Sequence, residues 1–202
     1  QESFVGYLSD IRVIRGKALY TTSFLPPTTP PENTPDTLLL LRGGSAGVYD
    51  STGDNNVRTI NNAKISNTVK KFNTGSLQFT SSTSDYMLIP GNPIFNTGTQ
   101  DWTVDCWVYL NSMPTSDAWP TNWSLHMVVI GTGTPSQADG TNCIIGQTKL
   151  LMQINDTQYA STSTHGMTTG VWYHLAYVRY SNTFMFYVNG TSLGSVAVAV
   201  AN

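Results

Sequence analysis

Hydrolytic chemistry would need a general acid and a base or nucleophile held a fixed distance apart, and this chain has few acids to supply them. Its only glutamates are Glu2 and Glu32, so none occurs from residue 33 to 202. The stretch Asp101–Tyr109 offers Asp101 and Asp105, but neither has an acidic neighbour of the right kind. His126, His165 and His174 lack metal-ligand spacing and Ser/Asp partners; His174 reads best as a hydrogen-bonded structural residue. Asp50 and Asp54 share a polar loop, Asp50-Ser51-Thr52-Gly53-Asp54, and Asp10 lies on an early strand. Trp119 and Trp123 sit in a polar, Pro-containing loop flanked by Asp117 and Asn122. An exposed aromatic there is unusual without a partner; the alternative is that the two rings plug one end of the fold.

The elements that must position these residues read as β-strands throughout. Gly170 to Gly190 is a strand, a Ser181-Asn182 turn and a return strand closed by Asn189-Gly190, rich in aromatic and β-branched residues. Trp172, His174, Ala176, Val178 and Tyr180 share one face, and Tyr173, Leu175, Tyr177 and Arg179 the other. Both faces carry apolar bulk, which places the hairpin inside a two-layer structure. Further strands are expected at 3–14, 37–41, 76–79, 86–89, 102–110, 126–130, 142–146, 149–154, 158–160 and 195–200, with 45–62 a polar loop. Five prolines between Pro26 and Pro35 make an extended, semi-rigid link and the best candidate for a domain boundary. No segment shows a sustained helical period with caps.

Of the 202 residues only 11% are charged and the formal net charge is −2, which argues against nucleic acid and against polybasic membrane contact. No apolar run approaches the length of a membrane span, so no membrane insertion is expected. Cys106 alternates in phase with Trp102, Val104 and Val108, and Cys143 precedes Ile144-Ile145. Two buried free thiols are the favoured reading, with a Cys106–Cys143 disulfide the alternative if their strands are neighbours.

Several of these segments carry a resemblance. Trp172-Tyr173-His174-Leu175-Ala176 with Phe186-Tyr187-Val188-Asn189-Gly190 resembles the hairpin of laminin G-like domains, members of the concanavalin A-like lectin/glucanase superfamily. Leu38–Leu41 with Asp50-Ser51, the stretch Asp101–Tyr109, and Phe4–Arg12 extended by Ala18-Leu19-Tyr20 to Thr28 resemble three further parts of that pattern. The order departs from the family, because the Phe4–Arg12 strand normally comes last and here comes first. The resemblance implies an all-β, two-sheet antiparallel jelly-roll sandwich of concanavalin A-like type. Residues 1–30 would be a C-terminal-type strand and tail that closes a sandwich in cis or in trans, 31–36 a Pro-rich linker, and 37–202 the jelly roll.

The resemblance further implies a non-enzymatic surface module, glycan-binding or adhesive. It would belong to a longer, tandemly repeated protein such as a fibre at an extracellular or virion surface. The alternative is a purely structural module that joins subunits by strand donation. The expected partners are a glycan or cell-surface polysaccharide and neighbouring copies of the same protein. Sugar contacts would come from Trp119, Trp123, Asp117 and Asn122, by stacking and hydrogen bonding. Related domains often bind Ca2+ in an acidic loop, here Asp50 and Asp54 with Asp10 nearby, against the alternative that Asp50-Ser51 caps a turn.

Overall fold

The computed structural model describes residues 4–44, 47–72, 75–80, 85–91, 95–96, 98–117, 127–131, 140–154 and 157–198. Every regular element of length among them is a strand: β1 Gly6–Arg15, β2 Thr37–Gly44, β3 Gly47–Asp50, β4 Arg58–Ile60, β5 Lys64–Ser66, β6 Ser76–Phe79, β7 Tyr86–Leu88, β8 Trp102–Leu110, β9 Met127–Gly131, β10 Thr141–Ile145, β11 Leu150–Ile154, β12 Thr157–Ala160, β13 Trp172–Tyr180, β14 Thr183–Val188 and β15 Thr191–Ala197. The large sheet runs β15-β14-β13-β8-β1-β2-β3, with β6 pairing β1 and β5 pairing β6; the small sheet runs β12-β11-β10-β9; β4 and β7 form a ribbon. All pairings are antiparallel. The fold is therefore the expected all-β sandwich.

Strand alternation builds the core. Val104, Cys106 and Val108 of β8 and Leu175 and Tyr177 of β13 turn toward Cys143, Ile145, Leu150 and Met152 of the small sheet, and all are buried. The Tyr177 hydroxyl bridges the layers by donating to the Ile144 carbonyl at 2.8 Å, which satisfies a polar tip in an apolar interior. Cys106 and Cys143 are both buried and both free thiols, and burial raises the pKa of each. They pack as small hydrophobes.

β1 lies at the middle of its own chain's large sheet, with β8 on one side and β2 then β6 on the other. Its pairing with β8 shifts register between Ser9 and Arg12, and Asp10 sits there at φ 52. The bulge turns Ile11 and Val13 to the core and aims Arg12 at the outer face.

That outer face is itself apolar at Ala176, Val178 and Tyr187, and among the described residues no second sheet covers it. The segment after β1 does. Ala18, Tyr20 and Phe24 pack on those three residues, Tyr20 and Phe24 stack at 3.7 Å, and the Phe24 amide donates to the Gly190 carbonyl at 2.9 Å. This strap explains why β13 is apolar on both faces. The Pro-rich link that follows is fastened to the sheet: Pro31 is buried, its carbonyl accepts from the Arg42 guanidinium, and the Arg15 amide donates to the Asp36 carbonyl at 3.1 Å. Of the segment read as a polar loop, 47–50 and 58–60 are strands instead, β3 against β2 and β4 against β7.

Candidate functional site

Asp117 is the one residue of the expected sugar site that falls among the described residues; Trp119, Asn122 and Trp123 lie outside them. Its carboxylate accepts from the Thr148 amide at 2.9 Å, from the Thr148 hydroxyl and from the Lys149 amide at 3.1 Å. Its carbonyl accepts from Gln158 Nε2 at 2.9 Å. Burial raises the Asp117 pKa, but these donors outweigh it and hold the carboxyl below the usual value. Asp117 thus clamps the turn between β10 and β11. His165 closes the same corner: its Nδ1 accepts from the Met167 amide at 3.0 Å, so Nε2 carries the proton and faces the Gly146 carbonyl at 3.2 Å. Burial holds this imidazole below its ordinary pKa.

The acidic loop is built as a turn. Asp50 accepts from the Leu40 amide at 2.9 Å, the Thr52 amide at 3.1 Å, the Thr52 hydroxyl, the Asn55 amide at 3.2 Å and Asn55 Nδ2 at 2.7 Å. Burial raises its pKa, yet the Thr52, Leu40 and Asn55 donors bring the net value below the usual one. Its oxygens face N–H and O–H donors, where calcium would require lone pairs directed at the ion. Asp54 does not join them through its carboxylate; its amide bonds the Thr52 hydroxyl at 3.3 Å. Asp10 accepts from the Ser9 hydroxyl at 2.6 Å and faces Arg42 Nε at 3.4 Å. Among the described residues no cluster of three or more His, Cys, Asp or Glu could hold a metal ion. The donor set does not fit calcium, and the Asx-type cap is the better account of Asp50. The expected result is that neither added calcium nor EDTA moves the melting temperature, as followed by calorimetry; a calcium-dependent rise would restore the metal site.

One buried polar cluster was not foreseen. Under the strap, Asp105 receives Arg12 Nε at 2.9 Å and Nη2 at 2.8 Å, the Tyr20 hydroxyl at 3.0 Å, and lies 3.3 Å from His174 Nε2. Arg12 Nη2 also reaches the Tyr20 oxygen at 3.1 Å. Carboxylate, imidazole and phenol meet here, but Asp105 is 2% and His174 1% exposed, so no substrate atom has access. The cluster fastens the strap to β1, β8 and β13. A sequence signal existed: Asp105 is a lone carboxylate out of phase with the core residues Val104, Cys106 and Val108, set between Thr103 and the large aromatic Trp107.

The three tryptophans on β8 and β13 divide by face. Trp102 joins the main core. Trp107 lies on the outer face under Phe72 and the Lys71 ammonium, which stands 3.6 Å from its ring centre. Trp172 is half-buried on the same face against Tyr109.

A laminin G-type family model, described as the Concanavalin A-like lectin/glucanases superfamily, matches residues 81–202. The matched span is more than half of the chain and runs from β7 through β15. No curated protein and no solved structure matches.

Proposed function

The chain belongs to the concanavalin A-like lectin/glucanase superfamily, and we propose that it is a non-enzymatic carbohydrate-binding module, carried on an extracellular or virion surface fibre. What carries the reading is the fate of its carboxylates. Asp10, Asp50, Asp105 and Asp117 are each held by neighbouring donors or cations, and Asp85 is held by the Thr80 and Asn62 amides. Asp101 accepts from the Ser181 amide at 2.9 Å. A pair of free carboxyl groups facing one space, which glycoside cleavage needs, is not formed by any of these. Sugar recognition is the reading that the lectin side of the superfamily supports. The test is a polysaccharide array read beside a reducing-sugar assay. Binding without release of reducing ends is expected; turnover, or the absence of binding to any polysaccharide, would overturn the reading.

A second reading has its own observation. β1 occupies the sheet centre yet lies outside the matched span of residues 81–202, and it is joined to the rest by an extended Pro-rich link. The same β1 from a neighbouring copy would make the same pairings. On this assembly reading, light scattering should show a mass that rises with protein concentration; a monomer at all concentrations would exclude it.

A further inference from the structure

The strap covers the outer face of the large sheet only part of the way. The inboard row Ser9–Trp107–His174, aligned across β1, β8 and β13, is fully buried. The next row outward is not. There Lys64 of β5, Gln78 of β6, Tyr7 of β1, Tyr109 of β8 and Trp172 of β13 stand directly opposite one another across five neighbouring strands. Lys64 is exposed, and the other four are half-buried. Ring centres are 5.6 Å apart from Tyr7 to Tyr109 and 5.6 Å from Tyr109 to Trp172, with planes at 78° and 59°. Gln78 Nε2 donates to the Tyr7 hydroxyl at 3.3 Å. The β-ladder fixes the positions of these side chains, so little ordering is left for a ligand to impose.

We propose that this row is the binding site for a neutral polysaccharide chain lying across the strands. The inference rests on the carbohydrate-binding reading above and names the place and ligand class. A sugar ring offers an apolar face of C–H groups rimmed by hydroxyls. Half-exposed aromatic rings match the face, and the phenol hydroxyls, the Gln78 carboxamide and the Lys64 ammonium match the rim. The row contains no carboxylate, and its one charge lies at the far end from Trp172, which suits an uncharged chain. Tyr7 and Trp172 stand two strands apart on either side of Tyr109, so each offers a ring to the chain with Tyr109 between them. Alternate rings of the row then meet alternate sugars of the chain. The sequence alone did not reveal the row, because its members are scattered from residue 7 to residue 172 and only strand register aligns them.

The experiment is affinity electrophoresis of the whole chain in gels containing hydroxyethylcellulose, xylan, galactomannan or alginate, with Trp172→Ala, Tyr109→Ala and Tyr180→Ala compared to wild type. Tyr180 is an exposed aromatic at the other end of β13. Wild type should be retarded by a neutral polymer, and the two row variants should each weaken binding about tenfold or more, with Tyr180→Ala unchanged. Wild-type binding that survives both row substitutions overturns this site and leaves the carbohydrate-binding reading standing. Failure of wild type to bind overturns both. Binding to alginate alone, abolished by Lys64→Ala, overturns the neutral class. Should Trp172→Ala unfold, Trp172→Phe keeps the ring packing; the change in tryptophan fluorescence that polysaccharide causes in wild type must then vanish, and its persistence would overturn the site.

Discussion

Asp105→Ala is expected to lower unfolding stability by about 3–5 kcal/mol, the usual cost of removing one partner from a buried ion pair. The size follows from what is left behind. Arg12 would keep a guanidinium in the interior with only the Tyr20 oxygen as acceptor, the Tyr20 hydroxyl would lose its acceptor, and His174 would lose the group at 3.3 Å. With a whole-domain stability of about 5–15 kcal/mol, much of the margin would go. Urea unfolding measures it, and a loss below about 1 kcal/mol would show that the cluster is dispensable. Removing both charges is the informative contrast: Asp105→Leu with Arg12→Met should cost far less than Asp105→Ala, because no stranded charge remains. The pH dependence has a fixed sign. Burial raises the Asp105 pKa, but His174 and Arg12 outweigh it and the net value is below 3.8. A depressed carboxyl stabilises fully above its unfolded value and loses that contribution as pH falls through the folded one. Acid unfolding of wild type should therefore steepen below about pH 4, and the double variant should lack that component.

How much of this was legible beforehand depends on whether the determinant is local. The β13–β14 hairpin was legible because alternation and two turn pairs lie within one stretch; its two faces fall as read, Leu175 and Tyr177 to the main core and Ala176 and Val178 to the outer cluster. Apolar bulk on both faces was visible, but the covering layer on one side is the strap, not a second sheet. Residues 18–24 look like coil, because their order comes from bonds to Thr103, Asp105 and Gly190 far along the chain. β3 pairs the adjacent β2 across Gly44 and Gly47 and was hidden by its shortness alone, whereas the short strands β4 and β5 were hidden for the same reason. Their polar residues give no alternation, and pairing across distance, such as Lys64 with Gln78, makes them strands. For the candidate sites, the Asp50 turn was legible from its Asx chemistry, whereas the Arg12–Asp105 pair spans 93 residues and depends on a bulge at Ser9–Asp10 that no local motif announces.

Gly190→Ala should release the strap. Gly190 sits in the β14–β15 turn at φ +74, a conformation that costs an L-residue about 1–2 kcal/mol. Space is the larger problem. A Cβ there would overlap the Phe24 carbonyl oxygen, lie 2.8 Å from the Phe24 carbonyl carbon and 3.3 Å from Pro26 Cδ. The obstacle is backbone, held by the Phe24 amide's bond to the Gly190 carbonyl, so it can yield only if the strap moves. Phe24 would leave His174 and Tyr187, with centroids now at 5.7 and 5.4 Å, and Ala176, Val178 and Tyr187 would become wet. Gly53→Ala is the matched control: it has a similar φ of +83 with nothing within 4 Å of a built Cβ, so it reports the backbone cost alone. The expected total for Gly190→Ala is about 3–4 kcal/mol, combining that cost with lost burial of an aromatic side chain. Limited proteolysis should then cut between Arg15 and Phe24 in Gly190→Ala and not in Gly53→Ala. If the two variants lose the same stability and resist cleavage alike, the strap does not depend on Gly190, and the sheet tolerates its detachment. If they differ as expected, the missing side chain at this turn is what lets the segment after β1 lie flat on the outer face, covering His174 and Tyr187 and stopping short of the row of Tyr7, Tyr109 and Trp172.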